Sequence, residues 1–77
     1  MTELQKCCKK YNFKAIPLNP HAEHVRDKIY WCGYWQTWYQ VISIKENKVL
    51  CVWEDGTVNW HMTSLDSNKD YELIDMK

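Results

Sequence analysis

Aromatic side chains are unusually abundant in this sequence and are the groups best suited to bind a ligand. Its 77 residues include five Trp and five Tyr, and all five Trp fall between Tyr30 and Trp60. Indole and phenol rings can hold a cation over their faces, stack on nucleic-acid bases, or anchor a protein interface. A small domain also uses Trp to build a core from few residues, but five indoles would overfill one small core. At least one or two of them are therefore expected at the surface.

A second set of side chains has the chemistry of metal ligands. Cys7 and Cys8 precede His21 and His24, and Cys32 follows them. Thiolates and imidazoles in this order could form a tetrahedral zinc site, but paired Cys ligands are normally about two to four residues apart. Adjacent cysteines rarely pair with each other, and no secretory signal is visible at the N-terminus. We therefore predict reduced thiols at all four cysteines, with no metal and no cofactor.

Residues for catalysis are scarce. Gly33 and Gly56 are the only glycines, so the sequence has no Gly-rich phosphate loop. No Ser or Cys nucleophile is accompanied by an identifiable base and orienting group. His61 is close in sequence to acidic residues, but its simpler interpretation is a strand histidine with its tip in solvent. The sequence therefore predicts a protein that is not an enzyme.

Length and charge narrow the class further. A chain of 77 residues is one domain at most and cannot hold both a deep cleft and a full core. Ten Lys and Arg balance ten Asp and Glu, whereas non-specific nucleic-acid binders usually carry a basic excess. No apolar run approaches the roughly 18–20 residues that span a bilayer. We expect a cytoplasmic protein with a protein partner and no membrane contact.

The elements that must position these groups divide the chain in two. Residues 1–27 are predicted to pack on the main domain as a helical and extended segment. Thr2 and Gln5 match a capping box, and an apolar stripe at helical spacing predicts a helix over about residues 3–11, ended by Asn12. The segment 13–19 is expected to be extended. Asn19 and Pro20 could begin a single helical turn, and a plain loop is the alternative.

Residues 28–77 are predicted to contain five short strands. They are Ile29–Cys32, Trp38–Ile44, Val49–Trp53, Thr57–Met62 and Tyr71–Ile74. Asp55 and Gly56 predict a tight primed hairpin turn between the third and fourth strands. Five short strands with hairpin connections should curl into a small, partly open barrel. We expect its core to contain Leu50, Val52, Val58, Leu65 and either Val41 or Ile42.

Two of these strands do not alternate cleanly. In Val49–Trp53 both faces are apolar, and alternation would place Leu50 and Val52 on one face and Trp53 on the other. In Trp38–Ile44 both faces mix polar and apolar residues, which predicts a β-bulge and leaves the orientation of Tyr39 open.

The stretch from Asp27 to Asp66 resembles a Tudor-type, SH3-like barrel. The resemblance rests on Asp27-Lys28-Ile29 opening the first strand, Trp38-Tyr39 opening the second, Val49–Gly56 with its Trp-Glu-Asp-Gly ending, and Leu65-Asp66. It covers about half of the chain and implies a fold rather than a function, because many unrelated proteins share this barrel.

Tudor-type barrels bind methylated Lys or Arg in a cage of aromatic rings with a carboxylate. The resemblance implies that Tyr39 and Trp53 are cage walls and that Asp55 is the carboxylate. Trp31, Tyr34 and Trp35 compete for the third wall. The position after the Asp-Gly turn is often aromatic in the family and is Thr57 here, so the cage is expected to be either incomplete or closed by Trp60.

Three functions remain open at this point. The first is a protein-interaction module that uses the aromatic rim, including a methylated peptide as its ligand. The second is a small phage- or bacterium-encoded inhibitor or accessory protein that blocks a larger complex. The third is a binder of single-stranded nucleic acid or nucleotides through base stacking.

We expect Tyr34 and Trp35 to lie in an exposed loop and to form one patch with the other candidates. The alternative is that Trp35 packs under the N-terminal helix against Leu4 and Cys8. The candidate binding residues are Trp31, Tyr34, Trp35, Tyr39, Trp53, Asp55 and Trp60.

Overall fold

The computed structural model describes residues 1–61 and 64–77, which form one six-stranded antiparallel sheet and one helix. The elements are α1 (Glu3–Tyr11), β1 (Phe13–Pro17), β2 (Ile29–Cys32), β3 (Thr37–Lys45), β4 (Lys48–Trp53), β5 (Val58–His61) and β6 (Tyr71–Asp75). The predicted mainly-β class and the positions of the five predicted strands are confirmed to within one or two residues. The end of the fourth predicted strand, at Met62, lies outside the described residues.

Helix α1 begins and ends where its local sequence directs. The Thr2 hydroxyl accepts a hydrogen bond from the Gln5 backbone N–H at 3.1 Å, and the Gln5 side chain accepts one from the Thr2 N–H at 2.8 Å. This reciprocal pair satisfies two N–H groups that have no partner inside a helix. Asn12 ends the helix in the left-handed region, with φ of 60°, and its N–H donates to the Cys8 carbonyl. The capping box and the predicted stop at Asn12 are confirmed.

The sheet has six strands instead of five, because the predicted extended segment is itself a strand. Residues of β1 pair with β6 in the register Phe13↔Asp75 to Pro17↔Tyr71. The order across the sheet is β1-β6-β2-β3-β4-β5, and its two end strands are not paired with each other among the described residues. The sheet is therefore open at β1 and at β5.

Alternate side chains of the central strands belong to two separate hydrophobic clusters, one on each face of the sheet. Tyr30 of β2 and Tyr39 of β3 are cross-strand partners in the first cluster. The next pair along the same strands, Trp31 and Trp38, belongs to the second cluster. Helix α1 covers the second cluster through Cys7, which is 8% exposed. Successive side chains of a strand point to opposite faces, and both faces of this small sheet are thereby used.

The predicted core face of β4 was wrong. Val49 and Cys51 are buried in the first cluster, whereas Leu50 and Val52 are half-buried on the opposite face. Both faces of this strand are apolar, so alternation alone could not choose between them; the choice follows from pairing with the buried face of β3. Of the alternatives in β3, Val41 is fully buried.

Of the other residues predicted for the core, Val58 is exposed, and Ile42, the second alternative in β3, points outwards. A bulge between Val41 and Ser43, as predicted, turns Ile42 outwards, where it is 39% exposed. Val58 is 54% exposed because it lies on the edge strand β5, opposite Val52 on the outer face. Leu65 is half-buried and packs against the first cluster.

The hairpin between β4 and β5 differs from its predicted type, whereas the Asn19 segment matches its predicted alternative, a loop without a helix. Gly56 has φ of 89° and Asp55 has no positive φ, so the hairpin between β4 and β5 is not a primed two-residue turn. The Gly56 N–H donates to the Trp53 carbonyl at 2.9 Å and the Trp53 N–H to the Thr57 carbonyl at 2.8 Å. This is a three-residue loop with Gly in the left-handed position. Asn19 caps a turn, with its side chain accepting from the His21 N–H, and no helix forms there. Among the described residues, no helix has the length and apolar character needed to cross a membrane.

Candidate functional site

A groove of about 540 Å³ opens beside the edge strand β5, at the end of the sheet far from β1. Its walls come from the turn after β2, the start of β3, the end of β4 with its hairpin loop, and β5. Its volume falls within the range of about 300–1,000 Å³ typical of ligand sites. The lining residues are Trp35, Thr37, Trp53, Glu54, Asp55, Thr57, Asn59, Trp60 and His61.

Trp35 projects from a four-residue turn that is fixed at both ends. The Gln36 N–H donates to the Cys32 carbonyl at 2.8 Å, and Gln36 itself takes the left-handed conformation, with φ of 57°. The Gly33 N–H donates to the Asp70 carboxylate at 2.9 Å, which ties the turn to the loop before β6. Trp35 is 63% exposed and Tyr34 is 75% exposed, with their rings edge to face at 5.1 Å. The predicted exposure of this pair is confirmed.

Trp53 forms the inner wall of the groove. Its ring lies 4.8 Å from the ring of Tyr39, its cross-strand partner, and its indole N–H donates to the Asn59 side-chain oxygen at 3.0 Å. The His61 ring meets it edge to face at 5.6 Å. Because three neighbours fix its orientation, this indole presents one defined face to the groove.

Behind Trp53, a hydrogen-bonded pair of a buried tyrosine and a half-buried histidine supports the wall. The Tyr39 hydroxyl is 2.7 Å from His24 Nε2, and burial raises the pKa of Tyr39 well above its ordinary value. Burial, and then the proximity of His61, lower the pKa of His24. A neutral imidazole and a neutral phenol can share this hydrogen bond without placing a charge in the core.

Two carboxylates supply the negative charge of the groove. Glu54 accepts hydrogen bonds from the Tyr11 hydroxyl at 2.6 Å and from the Thr37 hydroxyl at 3.0 Å. Asp55 accepts a bond from the Thr57 N–H at 2.9 Å, and the hydrogen bonds of Thr57 lower the pKa of Asp55. None of the described residues that line the groove is Lys or Arg. Lys10 approaches Glu54 only from the helix side, with its Nζ 3.9 Å from the carboxylate.

The structure brings together four of the seven predicted site residues: Trp35, Trp53, Asp55 and Trp60 all line the groove. Tyr34 lies beside Trp35 on the outside of the turn. Trp31 and Tyr39 are each 3% exposed, so neither can contact a ligand directly, and the prediction of an exposed patch is wrong for both. Tyr39 is instead the support behind Trp53.

The alternative prediction placed Trp35 beneath helix α1, but Trp31 occupies that position. Trp31 packs with Cys7 and Leu73, and with Leu4 and Cys8 at the margin. The alternation of β2 decides this, because Trp31 points away from Tyr30 and towards the helix. Trp35, beyond the end of β2, is left free for the rim.

Sequence reasoning missed five lining residues: Thr37, Glu54, Thr57, Asn59 and His61. Thr37 and Glu54 meet across the mouth of the groove, and Asn59 and His61 line its floor from β5. Asn59 and His61 share a face of β5 because they are two residues apart. The sequence alone shows that Asn59 and His61 alternate with Val58 and Trp60, and this alternation could have identified them as lining residues.

The thiols and imidazoles do not converge. Among residues 1–61 and 64–77, no group of three or more Cys, His, Asp or Glu side chains could hold a metal ion. All four cysteines are free; Cys7 lies in the helix-side cluster, whereas Cys32 and Cys51 lie in the other. Burial raises the pKa of Cys7 and of Cys51 to about 11 each.

Comparisons of the chain with protein-family models, with curated proteins and with solved structures found no match. The function must therefore be argued from the groove itself.

Proposed function

We propose that the protein is a non-catalytic interaction module that takes a cationic side chain of a protein partner into the groove beside β5. The observation that carries this proposal is the pairing of indoles with acid: Trp35 and Trp53 line one groove with Glu54 and Asp55, and none of the described residues that line it is Lys or Arg. An ammonium group within about 6 Å of an indole face is attracted by the ring quadrupole, by about 0.5–2 kcal/mol depending on desolvation.

The carboxylates favour a cation over a nucleic-acid base. Asp55 has a lowered pKa and so keeps its charge at neutral pH. A phosphate backbone alongside it would be repelled, whereas a Lys or Arg side chain gains Coulomb attraction. Stacking of single-stranded nucleic acid remains a testable competitor because it would use the same indoles.

A methylated Lys or Arg is the ligand that best fits this chemistry. Methyl groups bury apolar surface against indoles while the charge is retained. We further propose that the open sheet is a partly open SH3-like barrel with a rearranged Tudor-type cage. In that cage Trp53 and Asp55 keep the roles implied by the resemblance, Trp35 is the third wall, and Tyr39 supports Trp53 from behind.

The test is a titration of the wild-type protein with the blocked amino acid Nα-acetyl-trimethyllysine methylamide, followed by NMR of the indole N–H signals and by calorimetry. The neutral analogue, in which carbon replaces the ammonium nitrogen, has the same shape without the charge. We expect the cationic compound to bind at least about fivefold more tightly, which corresponds to a cation–π term of about 1 kcal/mol. Equal binding of both compounds, or preferential binding of oligothymidylate, would contradict the proposal.

Two variants locate the site. Trp35→Ala removes an exposed wall, and Asp55→Asn removes the charge while keeping the oxygen that accepts from the Thr57 N–H. Each should weaken binding of the cationic compound. Met76→Ala is the matched control, because Met76 is 55% exposed and lies after β6, away from the groove. Loss of binding in the control equal to that in Trp35→Ala would show that the groove is not the site.

A further inference from the structure

The two edges of the sheet are protected very differently. Strand β1 carries Lys14 and Pro17, two residue types that discourage further strand pairing at an edge. Strand β5, at the other end of the strand order, consists of Val58, Asn59, Trp60 and His61 and contains no Lys, Glu, Asp or Pro. The unprotected edge is the one that borders the groove.

The register shows which backbone groups this edge offers. The Trp53 N–H donates to the Thr57 carbonyl, so hydrogen-bonded pairs along β4 and β5 fall at every second position from there. Val52↔Val58 and Leu50↔Trp60 are the intervening, non-hydrogen-bonded pairs. The N–H and C=O groups of Val58 and Trp60 therefore point away from β4, towards the free edge.

The side chains of β5 alternate between two different surfaces. Asn59 and His61 point to the face that carries the groove floor. Val58 is 54% exposed and Trp60 is 48% exposed, and both lie on the other face, opposite the half-buried Val52 and Leu50. A strand added to this edge would continue both surfaces, so its own side chains would alternate in the same way.

We infer that the partner segment binds as an extended strand, added antiparallel to β5, with an apolar–cation–apolar pattern that places its cation in the groove. The inference rests on the proposed function and adds the backbone conformation and sequence pattern of the ligand. In an antiparallel pair, the residues opposite Val58 and Trp60 exchange both backbone hydrogen bonds and carry side chains on the apolar outer face. The residue between them, opposite Asn59, turns its side chain into the groove.

Charge complementarity selects this occupant over a second copy of the chain. The groove presents Glu54 and Asp55 and needs a cation on the groove-facing side of the added strand. If β5 of a second copy were the added strand, Asn59 and His61 would stand at those positions, and neither carries a fixed positive charge. Antiparallel geometry also matches every strand pair described in this sheet.

The test uses the blocked peptide Thr-Val-Lys-Val-Thr, with the Lys trimethylated, and two further versions of it that differ only in backbone N-methylation. N-methylation of both Val residues removes the N–H groups that would donate to β5. N-methylation of the Lys alone removes an N–H that would point to solvent. We expect affinity for the wild-type protein to fall at least about tenfold in the first case and less than about twofold in the second, because only the first loses intermolecular hydrogen bonds.

A protein variant gives the same test from the other side. Val58→Pro removes the outward N–H without breaking the β4 ladder, and proline is tolerated at such edge positions. It should lower the affinity for the peptide at least about fivefold, while Val58→Ala should not, and both should bind the single blocked trimethyllysine like wild type. The N-methyl series keeps the inference falsifiable if the proline variant does not fold.

The outcomes separate this inference from the proposed function. If the single blocked trimethyllysine binds but the peptide gains less than about threefold over it, or if both N-methylated positions lose affinity equally, strand addition is wrong and the groove proposal stands. If the single compound does not bind at all, the proposed function fails first. A concentration-dependent dimer in sedimentation that Val58→Pro abolishes would assign the edge to a second copy and overturn the inference.

Discussion

Truncation to Ala should have different effects at Trp31, near the end of β2, and at Trp35, in the turn that follows. Trp31 is 3% exposed beneath helix α1, whereas Trp35 is 63% exposed at the groove. We expect Trp31→Ala to lower the free energy of unfolding severely. Trp35→Ala should lower it far less and should weaken binding of the proposed cationic ligand.

The magnitudes follow from the buried area. A Trp side chain presents up to about 250 Å². About a third of the Trp35 ring is buried, so truncation returns at most about 80 Å² to water, an upper bound of about 2 kcal/mol at about 25 cal/mol/Å². Nearly all of the Trp31 ring is buried, and truncation of such aromatics costs about 3–5 kcal/mol. For a chain of this length, total stability is about 4–12 kcal/mol.

The measurement is urea unfolding followed by far-ultraviolet circular dichroism, since loss of an indole alters fluorescence for trivial reasons. For a domain of this size, 1 kcal/mol corresponds to about 4–8 °C in Tm, so in a parallel thermal melt the two variants should be separated by more than about 4 °C. Trp31→Phe retains most of the apolar volume and should lie between them. A Trp35→Ala protein destabilised by more than about 3 kcal/mol would show that this ring is packed in the core, and the placement of the rim would be wrong.

Three other properties of the purified chain test separate parts of the structure. A Cβ at Gly33 would overlap the Lys69 carbonyl oxygen, so Gly33→Ala should cost about 1–3 kcal/mol in urea unfolding; unchanged stability would refute the tight contact. Burial, and then the nearby imidazole of His61, lower the pKa of His24 from 6.5, so this side chain binds a proton more readily in the unfolded chain than in the folded one. The stability that neutral His24 contributes is therefore full above pH about 6.5 and falls as the pH drops further. Unfolding between pH 5 and 8 should show a shallower decline in His24→Gln, whereas the exposed-site control His21→Gln should match wild type; identical curves for all three would contradict the assignment. Burial raises the pKa of Cys7 to about 11, so iodoacetamide at pH 8, followed by mass spectrometry, should label it far more slowly in the folded chain than in urea, and equal rates would disprove its burial.

Local features were predictable from the sequence because their causes are local. The capping box of Thr2 and Gln5 sets the start of α1, and the conformational tolerance of Asn12 sets its end. The strand positions follow from runs of β-branched and aromatic residues bounded by turn formers. The exposure of Tyr34 and Trp35 followed from their place between two strands.

The errors in the strand count and in the core required knowledge of distant pairing. Strand β1 exists because Phe13 meets Asp75 across the whole chain length, and no local signal reports that contact. The buried face of β4 depends on its register with β3. Because both faces of β4 are apolar, its sequence could not indicate which face is buried. The candidate site was predicted in part for the same reason: Trp53 and Asp55 sit next to a recognisable hairpin, whereas burial of Trp31 depends on the helix that covers it.

Glu54 belongs to two parts of the molecule at once. Its carboxylate lines the groove, yet it also accepts a hydrogen bond from Tyr11 at the end of α1. Free-energy coupling between two sites is reciprocal. A ligand that holds Glu54 in place therefore stabilises the docked helix, and the docked helix tightens ligand binding by the same factor. The first eleven residues are absent from the described lining of the groove, but under the proposed function they would act as an effector of its affinity.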